Sequence, residues 1–274
     1  MHGFLPPQRY FAYLTWQMID DLPDKANTVI VQPVGAIEQH GPHLPLAVDA
    51  AIASAVLGKA LTLLPDAIPA YGLPPLYYGK SNEHWHFPGT ITLTAQTLRQ
   101  VLMESAESLY RAGFRKLIWL NAHGGQPQVL EMAARDLHQQ YPDLMVFPHF
   151  VWNVPTPAAE LITAKELELG IHAGDAETSL MLAILPDQVQ RDRAVCEYPH
   201  GLPTDGLLSM EGALPFAWVT HDLTRSGVLG DATAASREKG DRLFAALTQG
   251  WVDVITAVHQ FQQPNAGQGG SEGG

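Results

Sequence analysis

Acidic and histidine side chains able to bind metal ions lie in three separate segments of this sequence. They are, in chain order, Glu38, His40, Asp49, His123, His172 and Glu177. Neutral imidazoles and carboxylates are ligands for borderline-to-hard divalent cations, and a carboxylate can bridge two of them. Because the sequence has no cysteine cluster and no phosphate-binding glycine loop, these residues predict a binuclear centre that catalyses hydrolysis.

The spacing of the first segment lets two side chains face one site. Glu38 and His40 are two residues apart in a stretch flanked by glycine and proline, and side chains i and i+2 of an extended chain point the same way. Asp49 begins a predicted helix, where a carboxylate also fits as a cap or a first-turn acid. Taken singly, each of these residues has such an ordinary explanation, and that alternative stays open.

The second and third segments add ligands at the ends of other predicted elements. His123 follows a predicted strand and precedes Gly124 and Gly125, whose amides could stabilise an anion and allow close approach of a ligand. His172 lies just before a predicted helix, where Glu177 also suits the first turn. A lone histidine is more often a satisfied polar residue, so the hypothesis depends on the combination of segments.

The elements that must position these residues alternate between strand and helix. Apolar runs at 28–31, 116–120 and 144–147 predict strands that are buried on both faces, as in a parallel sheet. Helical periodicity is found in 52–63, 98–109, 127–137, 177–185 and 234–261. This order predicts a three-layer α/β/α fold with a mostly parallel central sheet. In such sheets the ligand site lies beyond the carboxyl ends of the strands, where Glu38, His40 and His123 are expected.

Composition limits the class of protein. Hydrophobic residues make up 46% and charged residues 16% of the chain, which supplies a large core and suggests burial in a homo-oligomer. The net charge of −12 argues against nucleic acid as a partner. Cys196 is the only cysteine, so no intrachain disulfide can form. No signal peptide and no apolar run of roughly 18 residues is found, so we expect a cytoplasmic protein without a membrane partner.

The remaining expectations concern the domain organisation of the chain and one loop. We expect one domain over 1–262 and a disordered Gly/Ser-rich tail over 263–274. Segment 79–90 is polar, aromatic and flanked by glycine, which is typical of a pocket loop, although a long exposed connection fits its composition equally well. Its candidate substrate contacts are Glu83, His84 and His86.

At these positions the sequence resembles the creatininase family of metal-dependent amidohydrolases. The matching stretches are PVGAIEQHGPHLP (33–45), Asp49, FPGT (87–90), NAHGG (121–125), HAGDAETS (172–179) and SGVLGD (226–231). They occur in family order and span nearly all of residues 14–260. Each stretch is weak by itself, but the ordered set is highly specific.

The resemblance implies a fold, a cofactor and residue roles. It implies an α/β/α fold, often assembled as a hexamer, and two divalent ions per chain, commonly zinc or manganese, with iron as a third candidate. One ion would be bound by Glu38, Asp49 and His123. The other would be bound by His40, Asp49 and Glu177, with Asp49 bridging the two. The position of His172 matches the family histidine that shuttles protons near the scissile bond.

Departures from the family pattern affect the expected substrate. Creatinine-hydrolysing members carry a glutamate where this chain has Gly125 and a tryptophan where it has Glu168. Trp152 matches another of their pocket tryptophans and joins Gly124 and Gly125 as a candidate substrate contact. The Glu83–His84 pair resembles other branches, which include deformylases and peptide-processing enzymes.

The expected reaction is hydrolysis of a non-peptide C–N bond in a small cyclic or linear amide, with creatinine as the type substrate. The two ions would activate water as hydroxide, and His172 would protonate the leaving nitrogen. Formamide deformylation and peptide processing are alternatives at the same site. Phosphoester cleavage is disfavoured because no arginine or lysine lies in the three segments. A structural metal site in an assembly protein is the non-enzymatic alternative, although such sites are usually closed four-ligand cages.

Overall fold

A parallel four-stranded sheet forms the centre of the protein in the computed structural model, which describes residues 2–202 and 207–263. Its strands are β1 (Val29–Val34), β2 (Ala70–Gly72), β3 (Lys116–Asn121) and β4 (Met145–Phe150). They are ordered β2-β1-β3-β4, and each neighbouring pair is parallel. Residues 264–274 of the predicted tail lie outside the described residues.

Helices follow the strands and also occupy the C-terminal half. They are α1 (Trp16–Asp20), α2 (Val48–Leu63), α3 (Ala95–Arg111), α4 (Pro127–Gln140), α5 (Ala158–Leu161), α6 (Ala164–Leu169), α7 (Asp175–Ile184), α8 (Thr220–Leu223) and α9 (Arg237–Gln260). A short antiparallel pair, β5 (Cys196–Glu197) with β6 (Gly230–Asp231), lies apart from the main sheet. Within the described ranges, none of the helices combines the length and the apolar character needed to cross a membrane.

The sheet separates two hydrophobic cores, because successive side chains of a strand point to opposite faces. Val29 and Val31 of β1 pack into the core that contains α2, α7 and α9. Ile30 and Val34 pack into the core that contains α3 and α4. The predicted three-layer α/β/α arrangement with a parallel central sheet is therefore confirmed.

Local signals fix where the helices begin and end. The Thr94 hydroxyl caps α3 by accepting from Thr97 N, and the chain leaves that helix through Gly113 at φ +103°. Pro127 occupies the first turn of α4, where its missing N–H is not needed. The Ser236 side chain caps α9, so this helix begins at Arg237, slightly later than the periodicity predicted.

The strand order creates a crevice between β1 and β3. The chain leaves β1 through α2 to reach β2 on one side, and then returns through α3 to β3 on the other side of β1. This is a topological switch point, at which open α/β sheets bind their ligands beyond the carboxyl ends of the strands. The loops that follow β1 and β3 carry Glu38, His40 and His123 to that crevice.

Candidate functional site

Close packing between β1 and α2 brings Asp49 to the loop that carries Glu38. A Cβ atom on Gly35, just beyond β1, would lie 2.5 Å from the backbone nitrogen of Ala50, so only glycine allows this approach. Asp49 then stands in the first turn of α2, and Glu177 stands in the first turn of α7. First-turn carboxylates are favoured by the helix dipole and remain available to a cation.

Glu38 lies at the centre of the site and is only 1% exposed. Its Oε2 is 3.1 Å from His123 Nδ1, and its Oε1 is 3.8 Å from His40 Nε2. The same Oε1 is 3.5 Å from His84 Nε2 and 3.8 Å from His172 Nδ1. One buried carboxylate therefore faces imidazoles that come from four different segments of the chain.

Asp49 and Glu177 bring two more carboxylates to His40. Asp49 Oδ1 is 3.4 Å from His40 Nε2, and Asp49 Oδ2 is 3.6 Å from His123 Nδ1, so its two oxygens face different imidazoles. Glu177 Oε2 is 4.0 Å from His40 Nε2 and accepts a 2.6 Å hydrogen bond from Ala173 N. Ala173 has a φ of 54°, a left-handed conformation that is uncommon for alanine. Such strain is concentrated at functional sites.

Three buried atoms in and beside this cluster have no hydrogen-bond partner among the described residues. They are His40 Nε2, Asp49 Oδ2 and Glu83 Oε1. Since His40 Nδ1 lies 3.2 Å from the Glu38 carbonyl, which can only accept, Nδ1 carries the proton and Nε2 presents its lone pair to the carboxylates. Buried polar atoms are rarely left unsatisfied, and divalent cations bound between these side chains would satisfy them. The residues therefore fit a metal centre.

Three sets of ligand atoms lie close enough together to share an ion, with all atoms of each set within 4.8 Å of one another. One set is His40, Asp49 and Glu177, as expected from the sequence. The other two centre on Glu38 and combine it with Glu83 and His123, or with His40 and His172. The expected set of Glu38, Asp49 and His123 is not one of the three, since Glu83 stands in place of Asp49 beside Glu38 and His123.

Electrostatics also favours a cation at this place. Burial raises the pKa of Glu38, Asp49 and Glu177 to about 7 each. The negative charge of Asp49 raises the pKa of its two neighbours further. Burial alone would lower the pKa of His123, but Glu38 and Glu83 raise it well above its usual value. Carboxylates that burial penalises this strongly are stabilised by positive charge.

His172 presents one ring nitrogen to the centre. Its Nε2 is 2.7 Å from the carbonyl oxygen of Gln39, so Nε2 carries the proton and Nδ1 faces Glu38. Burial lowers the pKa of His172 well below its usual value, and the charges of His40 and His84 act in the same direction. The ring is therefore held as a neutral imidazole with its unprotonated nitrogen toward the carboxylates.

Gln39 and Thr220 complete the site but were not selected from the sequence. Gln39 Nε2 donates to the Gly227 carbonyl at 3.0 Å and lies 2.8 Å from His84 Nδ1. The Thr220 hydroxyl is also 2.8 Å from that nitrogen. The place of Gln39 between two predicted ligands was a usable signal, whereas the chain position of Thr220 offers none.

A cavity of about 770 Å³ opens beside the cluster. Five of the predicted substrate contacts line it: Glu83, His84, Gly124, Gly125 and Trp152. Residues 210–212 and 215–218 form another part of its wall. The metal-ligand candidates Glu38, Asp49, His123 and Glu177 lie on the same cavity, so a bound molecule can reach the cluster.

The sixth predicted substrate contact, His86, lies away from this cavity. His86 is exposed, is not among the cavity-lining residues, and stacks on His221 with ring centroids 5.1 Å apart. The 3₁₀ turn Asn82–His84 breaks the extended geometry in which residues two apart share a side. His84 consequently points inward and His86 outward.

Comparison with known protein families gives a match over most of the chain. The family model for creatininase, described as creatinine amidohydrolase, matches residues 12–255. The chain belongs to the creatininase family.

Individual creatininase-family relatives have different named activities. The creatinine amidohydrolase of Pseudomonas putida is 33% identical over 260 residues, which cover 90% of this chain and 95% of that protein. The mycofactocin precursor peptide peptidase of Mycolicibacterium smegmatis is 34% identical over 229 residues, which cover 83% and 84%. A solved creatininase structure has 30% identity and a TM-score of 0.76, covering 93% of this chain and 99% of its own. This chain is thus a hydrolase with the creatininase fold.

Solved creatininases include a form named for manganese and a zinc–zinc form of a variant, with TM-scores of 0.74 and 0.72 to this chain. These are the two metals that the sequence resemblance implied.

The two positions at which this chain departs from creatinine-hydrolysing members of the family, Gly125 and Glu168, differ in their surroundings. Gly125 lines the cavity, whereas Glu168 is exposed on α6 and its neighbour Leu167 lines the cavity instead.

Proposed function

We propose that this member of the creatininase family hydrolyses a carbon–nitrogen amide bond at a binuclear metal centre. The observation that supports this most is the orphaned pair His40 Nε2 and Asp49 Oδ2 within a ring of buried carboxylates. Glu38, Asp49 and His123 would hold one ion, while His40, Asp49 and Glu177 would hold the other. The bridging role of Asp49 is supported by its two oxygens, which face different imidazoles.

The residues of the chain divide the remaining work of hydrolysis. When bound, two divalent cations lower the pKa of water and polarise a carbonyl oxygen. His172 Nδ1 faces the centre, where it can take up a proton and pass it to the leaving nitrogen. The Gln39 carbonyl holds the other ring nitrogen and fixes the ring orientation. The backbone at Gly124 and Gly125 lines the cavity and can stabilise the developing oxyanion.

The substrate class has two candidates. The first is a small cyclic or linear amide, the class to which creatinine belongs. The second is a short peptide, which is favoured by a cavity of about 770 Å³, since pockets of roughly 300–1,000 Å³ accommodate drug-sized ligands. The 34% identity to a precursor peptide peptidase supports this second candidate as well.

The test is an activity screen of the purified, metal-loaded protein. Creatinine, small cyclic amides and short peptides are supplied with manganese or zinc, and phosphate esters serve as the negative control. We expect chelator-sensitive amide hydrolysis, about two ions per chain, and no phosphate release. Bound metal that only raises the melting temperature, with no amide cleaved, would instead support the structural role.

The His172→Ala variant tests the proton-transfer step separately. Its turnover should fall by about 10²–10⁴-fold, the usual contribution of general acid–base catalysis, while its metal content stays at the wild-type value. Loss of metal with an unchanged residual rate would contradict the assigned role of His172.

We further propose a cytoplasmic homo-oligomer, a hexamer by family resemblance, without a nucleic acid or membrane partner. Large apolar side chains on the surface support burial between subunits, among them Trp16 at 72% and Trp85 at 69% exposed. Light scattering of the purified protein measures the number of subunits directly.

A further inference from the structure

Glu83 lines the cavity and also reaches the nitrogen of His123 that faces away from Glu38. Its Oε1 lies 3.1 Å from His123 Nε2, and its Oε2 lies 3.1 Å from Lys80 Nζ. Lys80 Nζ also donates to the carbonyl oxygen of Gly125 at 3.2 Å. The Glu83 side chain is only 12% exposed, and its two carboxylate oxygens lie against His123 and Lys80.

The two nitrogens of His123 have different partners. Nδ1 faces the carboxylates of Glu38 and Asp49, whereas Nε2 lies 2.9 Å from the carbonyl oxygen of Lys80. Because a carbonyl only accepts, Nε2 carries the proton and Nδ1 is the nitrogen available to a metal ion. Metal-binding histidines commonly present their second nitrogen to a carboxylate or carbonyl, which fixes the tautomer and the ring orientation. Here the Lys80 carbonyl accepts the hydrogen bond from Nε2, and Glu83 Oε1 lies beside the same nitrogen at 3.1 Å without a hydrogen-bond partner of its own among the described residues.

Gly125 is required by its neighbours Glu83 and His123 and not by its own backbone conformation. A Cβ atom on Gly125 would lie 1.6 Å from Glu83 Oε1 and 2.7 Å from its Cδ, far inside contact distance. Its φ is not among the positive values found for other glycines of the described chain. The neighbouring Gly124 differs, since a Cβ there would meet nothing closer than Glu211 Oε1 at 3.9 Å.

We propose that Glu83 is a positioning residue for the metal ligand His123. The absence of a side chain at Gly125 leaves the space that the Glu83 carboxylate occupies beside His123. The inference rests on the proposed function in that His123 is taken as a ligand. It replaces the expectation that Glu83 contacts substrate. It also gives the departure at Gly125 a physical reason, because a side chain at position 125 and the Glu83 carboxylate exclude each other.

The first experiment measures Mn²⁺ affinity by competition with a fluorescent chelator in the wild type, Glu83→Ala and Glu83→Gln. We expect the wild type to bind two ions, and Glu83→Ala to weaken one of them by about 10–100-fold, the usual effect of losing such a partner. Glu83→Gln keeps an oxygen beside Nε2 but loses the negative charge, so its Mn²⁺ affinity should fall between those of the wild type and Glu83→Ala. The melting temperature of each metal-free variant shows that it is folded.

The matched control is Glu197→Gln. Glu197 is also a carboxylate with a strongly lowered pKa, but its partners are the backbone amides of Arg225 and Ser226. This variant should lose stability while both Mn²⁺ affinities stay at wild-type values. The control separates a general loss of stability from a specific effect on His123.

A double-mutant cycle tests the exclusion between the two positions. Gly125→Ala is made in the wild type and in Glu83→Gly, and Mn²⁺ affinity is measured in all four proteins. We expect Gly125→Ala to weaken Mn²⁺ binding when Glu83 is present and to weaken it much less in the Glu83→Gly protein. A residual loss of affinity is expected there because His123 Nε2 also lies 2.6 Å from the added Cβ. If the loss of Mn²⁺ affinity in the double variant equals the product of the losses in the two single variants, the proposed exclusion is overturned.

The outcomes distinguish this inference from the proposed function. A wild type that binds neither Mn²⁺ nor Zn²⁺ would refute the proposed function itself. Two ions bound with equal affinity by the wild type and Glu83→Ala would refute only the role of Glu83. A raised KM for an amide substrate with unchanged Mn²⁺ affinity would return Glu83 to substrate binding and overturn the inference.

Discussion

Replacement of Asp49 with asparagine should weaken the binding of both metal ions at once. The side chain keeps its size, but one of its two oxygens becomes an amide nitrogen that cannot bind a cation. Asp49 Oδ1 faces His40 at 3.4 Å and Oδ2 faces His123 at 3.6 Å, so one proposed ion loses a ligand oxygen, the other keeps only the oxygen of a neutral amide, and both lose the negative charge of Asp49. Glu177 approaches only the His40 side, at 4.0 Å. Glu177→Gln should therefore affect one ion alone.

The expected size of the effect follows from ligand linkage. One ion present at 100 times its Kd stabilises the folded state by about 2.7 kcal/mol, and two ions by about 5.4 kcal/mol. In a chain of this size each kcal/mol raises the melting temperature by about 2–4 °C. Metal should thus raise the melting temperature of the wild type by about 10–20 °C, that of Glu177→Gln by about half as much, and that of Asp49→Asn hardly at all.

The assay is thermal unfolding of each protein with excess Mn²⁺ and with chelator. The difference between the two melting temperatures is compared among variants, so that changes in the metal-free fold cancel. Glu197→Gln, which lies outside the cluster, should keep the whole wild-type increment. An Asp49→Asn protein that keeps half of the increment, or a Glu177→Gln protein that loses all of it, would refute the bridging assignment.

Two further predictions concern stability away from the metal centre. Gly240→Ala places a Cβ 1.8 Å from the Ser179 carbonyl oxygen where α9 packs on α7, and it should reduce the free energy of unfolding by about 1–3 kcal/mol, the usual range for overpacking. Gly124→Ala should leave it unchanged, and equal denaturation midpoints for the two variants would contradict this reasoning. Burial alone would raise the pKa of Glu197, but hydrogen bonds from Ser226 and Arg225 lower it from 4.5 to about 2. The stability that Glu197 contributes is complete above pH 4.5 and is lost as the pH falls toward 2, so the melting temperatures of wild type and Glu197→Gln should converge over that interval, and a constant difference would exclude this origin.

The central strands and most helices could be predicted because their signals are local. β1 and β3 are buried on both faces, so their sequences are continuous apolar runs. Gly113 and Pro127 mark helix boundaries through backbone properties of their own. β2 could not be predicted in this way, since Ala70–Gly72 has only three residues and is defined by pairing with the edge of β1. Its existence depends on a distant partner.

The metal-ligand candidates could be selected from residue type and from their place after predicted strands, but their supporting contacts could not. Lys80 reaches both Glu83 and Gly125, and this contact exists only after two loops have packed together. Glu83 lines the cavity as its polar loop predicts, but the composition of that loop does not show that its carboxylate also lies 3.1 Å from His123 Nε2. His86 illustrates the same limit, because a single 3₁₀ turn reverses its direction.

The mutual exclusion of Glu83 and a side chain at position 125 has a consequence for how such sites diverge. If Gly125 gained a side chain while Glu83 was present, the two would collide at 1.6 Å, so the first change tolerated on that path is at position 83. Loss of Glu83 in turn leaves His123 less well oriented until the second change arrives. The substitutions at positions 83 and 125 therefore depend on each other and have a preferred order. A sequence comparison that scores each position separately treats them as independent. The identity of residue 83 thus affects which residues natural selection can accept at position 125, together with the His123 ring, whose Nε2 would lie 2.6 Å from a Cβ there.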